Sequence, residues 1–382
     1  MNFEPSQSFA IEKLNNFVEK NLIEYSKLRN FDFGPEKRAN ISCLSPYIAH
    51  GILTEQEVMK LSLKKFSLTK IEKFIQEVLW RIYWKGWLEL RPNVWTDYII
   101  DLNKLKHKFK DNKDYINAIE GKTKIECFNT WVNELKNHNY LHNHTRMWFA
   151  SIWIFTLNLP WQKGAEFFMK HLLDGDAASN TLSWRWVAGL QTKGKNYIAQ
   201  SWNINKFTNN RYKNVTVNEN ALSLTDKREY KLKPLTIKSQ PTTNKNLVFF
   251  ENDLNVETLE LKEYENIFCI FIDNDLRKIK LSEKVIEFKR NIIEDQKKRY
   301  DKFKIIDSYK FQSFIEKNKD LDVIYPCIGE NMSFLKNLKN KNNLNLNFIL
   351  RKEDQFCWQF SNKGYFNFKS NIPKILTHFK LN

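Results

Sequence analysis

The sequence predicts two folded parts, a mainly α-helical region over residues 1–208 and a smaller α/β domain with a parallel sheet over residues 243–382. Apolar residues recur at helical spacing in the first part, whereas short apolar runs alternate with amphipathic stretches in the second. Between them, residues 209–242 are polar, rich in Asn, Lys and Thr, and contain Pro234 and Pro241. This composition predicts a linker.

Four segments support the helical assignment. Ile71–Leu90 carries one apolar stripe at helical spacing, which predicts an amphipathic helix that faces a core. Trp131–Leu135 and Met147–Leu157 are typical of buried helices, and Pro160 ends the second of these. Gly164–Leu173 predicts a further helix.

The α/β assignment depends on five short runs that are rich in apolar and β-branched residues. The predicted strands are Leu247–Phe250, Ile267–Ile272, Lys304–Ile306, Val323–Tyr325 and Asn347–Leu350. Amphipathic stretches over Leu281–Tyr300 and Tyr309–Asn318 lie between strands, and this alternation predicts a parallel sheet. No G-x-G-x-x-G follows the first strand, so the sequence shows no dinucleotide-binding fingerprint.

The composition favours a polyanionic partner. Lys and Arg number 61 against 44 Asp and Glu, which gives a formal charge of +17, and aromatic residues make up 14% of the chain. Nucleic acid would gain from such a surface through counterion release. A compositional bias towards Lys and Asn is the alternative explanation of this charge.

Several other classes of protein do not fit the sequence. No run approaches the roughly 18 apolar residues of a membrane span, and the N-terminus lacks the layout of a secretory signal. We therefore expect a cytoplasmic protein, and we expect a monomer. The cysteines are scattered without C-x-x-C spacing, which favours reduced thiols over a metal or disulfide set. They are Cys43, Cys127, Cys269, Cys327 and Cys357.

Three familiar motifs are absent or incomplete. Gly121-Lys122-Thr123 resembles the end of a phosphate loop, but Ile116 stands where the first glycine is needed. His142, His144 and His171 are weak evidence for a metal, and we predict none. No G-x-S-x-G or Cys/His pairing indicates a nucleophilic hydrolase.

The segment from Tyr140 to Thr192 concentrates aromatic, charged and amide side chains. Such a mixture suits a buried, flat, redox-active ligand, because aromatic faces can carry electrons while polar groups pair with the edges of a ring. The polar candidates are Asn143, Arg146, Asp174, Asp176 and Asn180. A second mixed stripe, on the polar face of the predicted Ile71–Leu90 helix, consists of Glu77, Trp80, Arg81 and Trp84.

Five ordered motifs carry a resemblance to a known family. They are Ser42-Cys43-Leu44-Ser45-Pro46-Tyr47, Glu77-Val78-Leu79-Trp80-Arg81, Gly121-Lys122-Thr123, His142-Asn143 through Arg146-Met147, and Asp174-Gly175-Asp176 through Trp184-Arg185-Trp186. From about Tyr25 to Thr208, the chain resembles the FAD-binding domain of the DNA photolyase/cryptochrome family. The resemblance implies a helical domain that holds FAD beside a cavity opening on a basic surface.

The resemblance also implies a set of cofactor contacts. Tyr25 and the turn from Ser42 through Leu44 to Ser45 would hold the FAD phosphates through hydroxyl and backbone donors. Arg146 would lie by the isoalloxazine and pair with Asp174. The remaining implied FAD contacts are Asp176, which would accept from the ring N3–H, Asn180, which would face N5, and Asn143. A purely structural role is the alternative for each of these polar residues.

On the substrate side, the resemblance implies a flipped pyrimidine dimer between aromatic walls. Glu77 would bond the dimer, while Trp80 and Trp186 would form the walls. Asn143 and Met147 resemble the cyclobutane-dimer type, since the (6-4) type has histidines at these positions. The candidate DNA-phosphate contacts are Arg29, Arg81, Lys193 and Lys195.

Two tryptophans, Trp161 and Trp184, match members of the electron-transfer chain of the family. Ala118 stands in the place of the surface-side tryptophan, so photoreduction would end at another aromatic such as Tyr115 or Trp153, or would be inefficient. Core packing is the alternative role of any single tryptophan. The implied catalytic set is Glu77, Asn180, Trp161 and Trp184.

The resemblance therefore implies a light-driven lyase, in which excited reduced FAD passes an electron to a cyclobutane pyrimidine dimer in UV-damaged DNA. The alternative function is a cryptochrome-like blue-light receptor without repair activity, favoured by Ala118. A DNA-binding flavoprotein without photochemistry is a third class. We expect a short form that lacks the usual N-terminal antenna domain, and the role of residues 243–382 stays open.

Overall fold

The computed structural model describes residues 2–237, 244–256 and 264–381. The predicted boundary between residues 242 and 243, and Pro241 with it, lies outside these residues. The helices of the first part are α1 (Gln7–Lys20), α2 (Tyr25–Leu28), α3 (Ser45–Ile48), α4 (Glu55–Lys65), α5 (Leu68–Glu89), α6 (Asn93–Phe109), α7 (Lys113–Glu120), α8 (Glu126–His138), α9 (Asn143–Ser151), α10 (Trp161–His171), α11 (Ala177–Val187) and α12 (Ser201–Phe207).

The second part alternates strands and helices before it ends in three short helices. Its strands are β1 (Asn246–Phe250), β2 (Asn266–Phe271), β3 (Lys304–Asp307), β4 (Asp320–Ile324) and β5 (Asn345–Ile349). Its helices are α13 (Glu283–Arg299), α14 (Ser308–Lys317), α15 (Glu330–Asn342), α16 (Lys352–Trp358), α17 (Tyr365–Lys369) and α18 (Ile372–His378). All neighbouring strands are parallel, in the order β3-β2-β1-β4-β5.

The fold class predicted from the sequence is confirmed. The Ile71–Leu90 helix is found as α5, and the five predicted strands are all present with bounds that differ by at most three residues. The Met147–Leu157 prediction needs refinement, because α9 ends at Ser151 and a π-helical turn continues it over Ile152–Thr156. Helix α10 begins at Trp161, directly after Pro160, and therefore earlier than predicted.

Three apolar cores hold the molecule together. The first joins α1, α4 and α5 to one face of the sheet, and buried Phe74 and Phe249 both belong to it. The second lies among helices α6–α12 around Trp131 and Trp153. The third fills the other face of the sheet beneath α14 and α15. The N-terminal helices and the sheet thus share one continuous core.

The carboxyl ends of β1 and β4 face the helical part. After β1, the Leu254 N–H donates to the His50 carbonyl at 2.8 Å. After β4, the Tyr325 hydroxyl and the Ile328 N–H donate to the Glu89 carboxylate at 2.7 and 2.6 Å. β1 and β4 are neighbours in the sheet, but the chain continues from β1 to β2 in one direction across the sheet and from β4 to β5 in the other. These contacts therefore lie at the point where the strand order reverses.

Residues 209–237 form no helix or strand, yet they pack against the helices. The Leu224 N–H donates to the Ala188 carbonyl at 2.9 Å, just past α11. The Lys233 N–H donates to the Leu90 carbonyl at 2.9 Å, at the end of α5. We call this segment the strap. None of the helices within the described residues is long and apolar enough to span a bilayer.

Candidate cofactor and substrate site

Asp176 joins the beginning of α11 to the middle of α5. Its Oδ1 accepts from the Ala178 and Ser179 N–H groups at 2.8 and 2.9 Å, so it caps the helix. Its Oδ2 lies 2.8 Å from Arg81 Nη1. Burial disfavours the charged carboxylate, but the Arg81 and Lys85 cations and the two N–H donors hold its pKa below the ordinary value.

Arg146 and Asp174 form the second ion pair of the site. Arg146 Nη2 lies 2.8 Å from Asp174 Oδ2, and its Nε donates to the Leu141 carbonyl at 2.9 Å. Ser45 Oγ donates to the same carboxylate oxygen at 2.5 Å. Asp174 Oδ1 is buried, and within the described residues no donor reaches it. The pair therefore offers a ligand one unsatisfied acceptor beside a fixed cation.

The polar stripe of α5 forms a half-exposed wall. Glu77 Oε1 lies 2.9 Å from Arg29 Nη1, and the two side chains are 30% and 27% exposed. Burial raises the pKa of Glu77 above its ordinary value, against the effect of Arg29. The ring of Trp80 stacks on Tyr365 of α17, with centroids 3.4 Å apart and planes at 9°. The structure thus brings Arg29, Glu77 and Trp80 together, with Tyr365 as an additional partner.

Tyr25 stands beside this wall. Its ring meets Phe74 of α5 edge-on at 5.1 Å. Burial, with the Glu77 charge as the second cause, raises its pKa, so its hydroxyl stays protonated and can donate.

The turn from Ser42 to Ser45 leads into α3. Cys43 adopts a left-handed conformation with φ +50°. Leu44 is buried, and its carbonyl accepts from the Tyr47 N–H at 3.0 Å. Ser42 is half-buried. The Ser45 hydroxyl donates its proton to Asp174, so it has no donor left for the predicted phosphate contact.

The amide and thioether candidates differ in exposure. Asn143 is exposed at the start of α9, and Met147 lies one turn further, half-buried. Asn180 is 8% exposed, and its Nδ2 donates to the Ala165 carbonyl of α10 at 2.9 Å. Trp186 is half-buried and stacks on Tyr197 at 5.7 Å.

The candidate electron-transfer tryptophans lie in the core of α6–α12. Trp161 stacks on Tyr98 at 5.3 Å. Trp184 lies 6.2 Å from Trp153, which in turn lies 5.9 Å from Tyr115. Ala118 is fully buried in α7. Of the two aromatics that the sequence offers as alternative end points, Trp153 is thus a neighbour of Trp184, and Tyr115 is a neighbour of Trp153.

The two candidate lysines lie on the surface. Lys193 Nζ is 3.5 Å from Glu229 Oε1, and both side chains are 72% exposed. Lys195 is exposed.

A buried charge network behind the site has no counterpart among the sequence-based predictions. Asp32 accepts from Thr145 Oγ1 at 2.5 Å and from Arg38 Nη2 at 3.3 Å, and Arg38 also pairs with Glu134. Burial opposes the charge of Asp32, but the Arg38 cation and the hydrogen bond from Thr145 hold its pKa below the ordinary value. The network fixes α8 and α9 against the loop after α2. Because its members lie far apart in the chain, no local motif announces it.

No group of His, Cys, Asp and Glu able to hold a metal ion occurs in the part of the chain that the structure describes. Two of the three histidines considered in the sequence have other partners, since His142 caps α9 and His144 Nδ1 lies 2.9 Å from the Asn30 carbonyl.

The geometry of these residues suits a flat, polar-edged cofactor. The unsatisfied Asp174 oxygen suits a ring N–H, while Arg146 and Arg81 suit carbonyl or phosphate oxygens. An isoalloxazine and a pyrophosphate present both kinds of group, so the residues present fit FAD. Tyr25, Ser42 and Asn180 would complete its contacts.

Comparison with known proteins identifies the domain. Residues 74–216 match the FAD binding domain of DNA photolyase. The deoxyribodipyrimidine photo-lyase of Buchnera aphidicola subsp. Baizongia pistaciae is 29% identical over 201 residues, 51% of this chain and 41% of that protein. That of Agrobacterium fabrum is 31% identical over 193 residues, 48% and 38% of the two chains. The crystal structure of a bacterial class III photolyase from Agrobacterium tumefaciens aligns with a TM-score of 0.45 and 27% identity over 53% of this chain and 43% of that one.

Residues 74–216, which lie mostly within the helical part, are thus similar to the FAD-binding domain of DNA photolyase, and FAD is the cofactor. The chain spans about two fifths of the length of the curated relatives that it matches.

Proposed function

We propose that this protein is a light-dependent carbon–carbon lyase that repairs cyclobutane pyrimidine dimers in DNA. One observation carries the proposal. The half-exposed wall of Glu77 and Trp80 continues along α5 to Arg81, whose partner Asp176 lies two residues from the Arg146–Asp174 pair. A lesion on this wall would therefore lie beside the cofactor contacts.

Bound FAD would supply light absorption and one-electron chemistry. The residues of the chain would bind and orient the two reactants. The face of Trp80 that Tyr365 leaves uncovered would receive a base that has left the stack. Glu77, with its raised pKa, would share its proton with a pyrimidine carbonyl or accept from a pyrimidine N–H. Arg146 and Asp174 would fix the ring edge of the cofactor.

The choice of lesion depends on Asn143 and Met147. Neither carries a titratable imidazole, and both lie at the accessible side of α9. His144 points elsewhere, because its ring stacks on Trp148 at 4.1 Å. These positions favour cyclobutane dimers over (6-4) products. The positive net charge of +17 supports a DNA partner.

Substitution of Glu77 tests the proposal. Glu77→Gln should leave bound FAD unchanged and lower light-dependent dimer splitting by about tenfold, since a charge-assisted hydrogen bond is lost. Glu72→Gln, on the exposed face of the same helix, is the matched control and should repair at the wild-type rate. Flavin absorbance and dimer content are measured on the same samples. Equal repair rates for the two variants would show that Glu77 does not contact the lesion.

A photoreceptor function is the second candidate, and Ala118 is the observation that favours it. The side chain is fully buried and has no aromatic ring to pass an electron to the surface at this position. A receptor of this kind would bind FAD and respond to blue light, but it would leave dimers intact. The repair assay therefore separates the two candidates.

A further inference from the structure

A cavity of about 430 Å³ lies between the strap and the ends of α5 and α11. Its lining includes Trp87 of α5, Arg91 just after that helix, Arg185 of α11, and Tyr230 and Lys231 of the strap. The cavity is separate from the residues assigned above to the cofactor. Its size is that of a small-molecule site.

Arg185 lines this cavity, and its buried guanidinium group carries an unsatisfied donor. The residue is only 4% exposed, and its Nε has no hydrogen-bond partner within the described residues. Its nearest carboxylate, Asp226, lies 3.9 Å from Nη1. A buried guanidinium N–H without an acceptor is costly, so a ligand that supplies the acceptor would be favoured.

Arg91, which also lines the cavity, carries a second unsatisfied donor. Its Nη2 donates to the Asn362 carbonyl at 2.7 Å, but its buried Nη1 has no partner in the described part of the chain. Aromatic rings hold both guanidinium planes. Arg91 lies 4.1 Å from the centroid of Trp87, and Arg185 lies 5.2 Å from that of Tyr230. Because Arg91 and Arg185 already stack on Trp87 and Tyr230, a ligand would meet the N–H edges of the arginines rather than an aromatic face.

The acidic residues around the cavity are engaged by other cations. Asp226 bonds Arg228, which also reaches Asp101 at 2.7 Å and Asp97 at 3.9 Å. Glu229 is paired with Lys193. Arg91 and Lys231, in contrast, form no ion pair with any residue that the structure describes. The remaining charge is positive, as an anion requires.

One acceptor accompanies these donors. Gln191 Oε1 is buried and lacks a donor among the described residues. A ligand that carries an anionic group together with a hydroxyl would satisfy both arginines and Gln191. The forked N–H groups of arginine match phosphate oxygens, and the hydroxyl of a sugar would satisfy Gln191.

From these groups we infer that the strap cavity binds the phosphate of a nucleotide. Arg91 and Arg185 contact the phosphate oxygens, Lys231 adds charge at the rim, and Gln191 accepts from a hydroxyl. The phosphate belongs either to a free nucleotide, whose sugar hydroxyl can also reach Gln191, or to the backbone of DNA, which offers the arginines its phosphate oxygens alone. This inference does not depend on repair activity.

Calorimetric titration of the FAD-loaded protein with inorganic phosphate, AMP and a short undamaged duplex tests the inference. Loaded protein is used so that AMP cannot enter the FAD site. We expect saturable binding of phosphate and AMP, weakened about tenfold or more in Arg91→Gln and in Lys231→Gln through loss of a charged contact. Both side chains are accessible enough for the variants to fold. Lys227→Gln, an exposed neighbour outside the lining, should bind like the wild type.

Competition separates the sources of phosphate. If duplex DNA displaces AMP from the wild-type protein but binds the Arg91 variant less tightly, the backbone uses the cavity. If DNA does not displace AMP, the ligand is a free nucleotide. Absence of saturable binding of any of the three probes, or binding that Arg91→Gln and Lys231→Gln leave unchanged, would overturn the inference.

Discussion

At the scale of the residue, the two oxygens of Asp174 have different partners. Oδ2 accepts from Arg146 and Ser45, whereas Oδ1 is buried and receives no hydrogen bond from the described residues. One carboxylate thus holds α9 and α3 together and keeps an acceptor for the cofactor. An amide of the same shape can do only part of this.

Asp174→Asn should lower both stability and FAD content. The substitution removes a charged hydrogen bond from Arg146, and we expect the free energy of unfolding to fall by about 2 kcal/mol. Urea unfolding and the ratio of flavin to protein absorbance measure the two effects. Glu19→Gln removes an exposed pair with Lys65 and should change neither by more than about 0.5 kcal/mol. If the Asp174→Asn protein retained its full flavin content, the cofactor would not depend on Asp174.

At the scale of the element, α5 is the helix to which most parts of the site are attached. One face carries Glu77, Trp80 and Arg81, while the opposite face contributes Phe74 and Leu79 to the core shared with the sheet. Its C-terminal half is covered by α16, and Gly86 permits this close approach. A Cβ at Gly86 would lie 2.6 Å from both Trp358 Cδ1 and Ser361 Oγ.

Gly86→Ala should therefore destabilise the protein although alanine favours helices. We expect a loss of about 1 to 3 kcal/mol from overpacking against Trp358. Gly364→Ala is the matched control, because no atom lies within 4 Å of its built Cβ. Urea midpoints of the two variants give the comparison. A more stable Gly86→Ala protein would mean that α16 is not packed on α5 in this way.

Glu89, at the end of α5, makes its contact with the loop after β4 dependent on pH. Burial raises the pKa of Glu89 from 4.5 to about 7. The folded protein therefore holds this proton more tightly than the unfolded chain, and its contribution to stability is complete below about pH 4.5 and lost as the pH rises through about 7. The full effect is roughly 3 kcal/mol.

Glu89→Gln should flatten this dependence, since the amide does not titrate. Between pH 5 and pH 7, the free energy of unfolding of the wild type should fall relative to that of the variant, as measured by urea unfolding at each pH. Glu12→Gln, exposed on α1, should keep the wild-type profile. Parallel profiles for wild type and Glu89→Gln would contradict the raised pKa.

At the scale of the whole molecule, the shared core couples the sheet to the helices that carry the site. Phe249 of β1 is fully buried in the same core as Phe74 of α5 and Leu44 next to α3. Loss of packing in the sheet should therefore weaken the binding of the cofactor.

Phe249→Ala tests this coupling. The cavity should cost about 3 to 4 kcal/mol, and flavin release should shift with the loss of helical circular dichroism in one transition. Val323→Ala, in β4, belongs to the third core and should affect flavin release less at equal loss of stability. Two separate transitions in Phe249→Ala would show that the sheet and the helices unfold independently.

Local sequence signals predict the helices and strands well, and the five ordered motifs contain most of the polar site residues. Helix α5 is predictable because its apolar stripe repeats within the helix itself. The stack of Tyr365 on Trp80 and the pairing of Arg38 with Glu134 join segments far apart in the chain, for which no local period exists. The strand order could not be predicted for the same reason. Alternation of strands and helices predicts parallel strands, but it does not say which strands are neighbours.

The most direct test of the central claim is the number of cyclobutane dimers split per bound FAD under blue light. FAD-loaded wild-type protein is mixed with dimer-containing single- and double-stranded DNA, and dimers are counted after illumination and in the dark. We expect repeated light-dependent loss of dimers and none in the dark. A protein with full flavin content and bound DNA, but with equal dimer counts in light and dark, would contradict it.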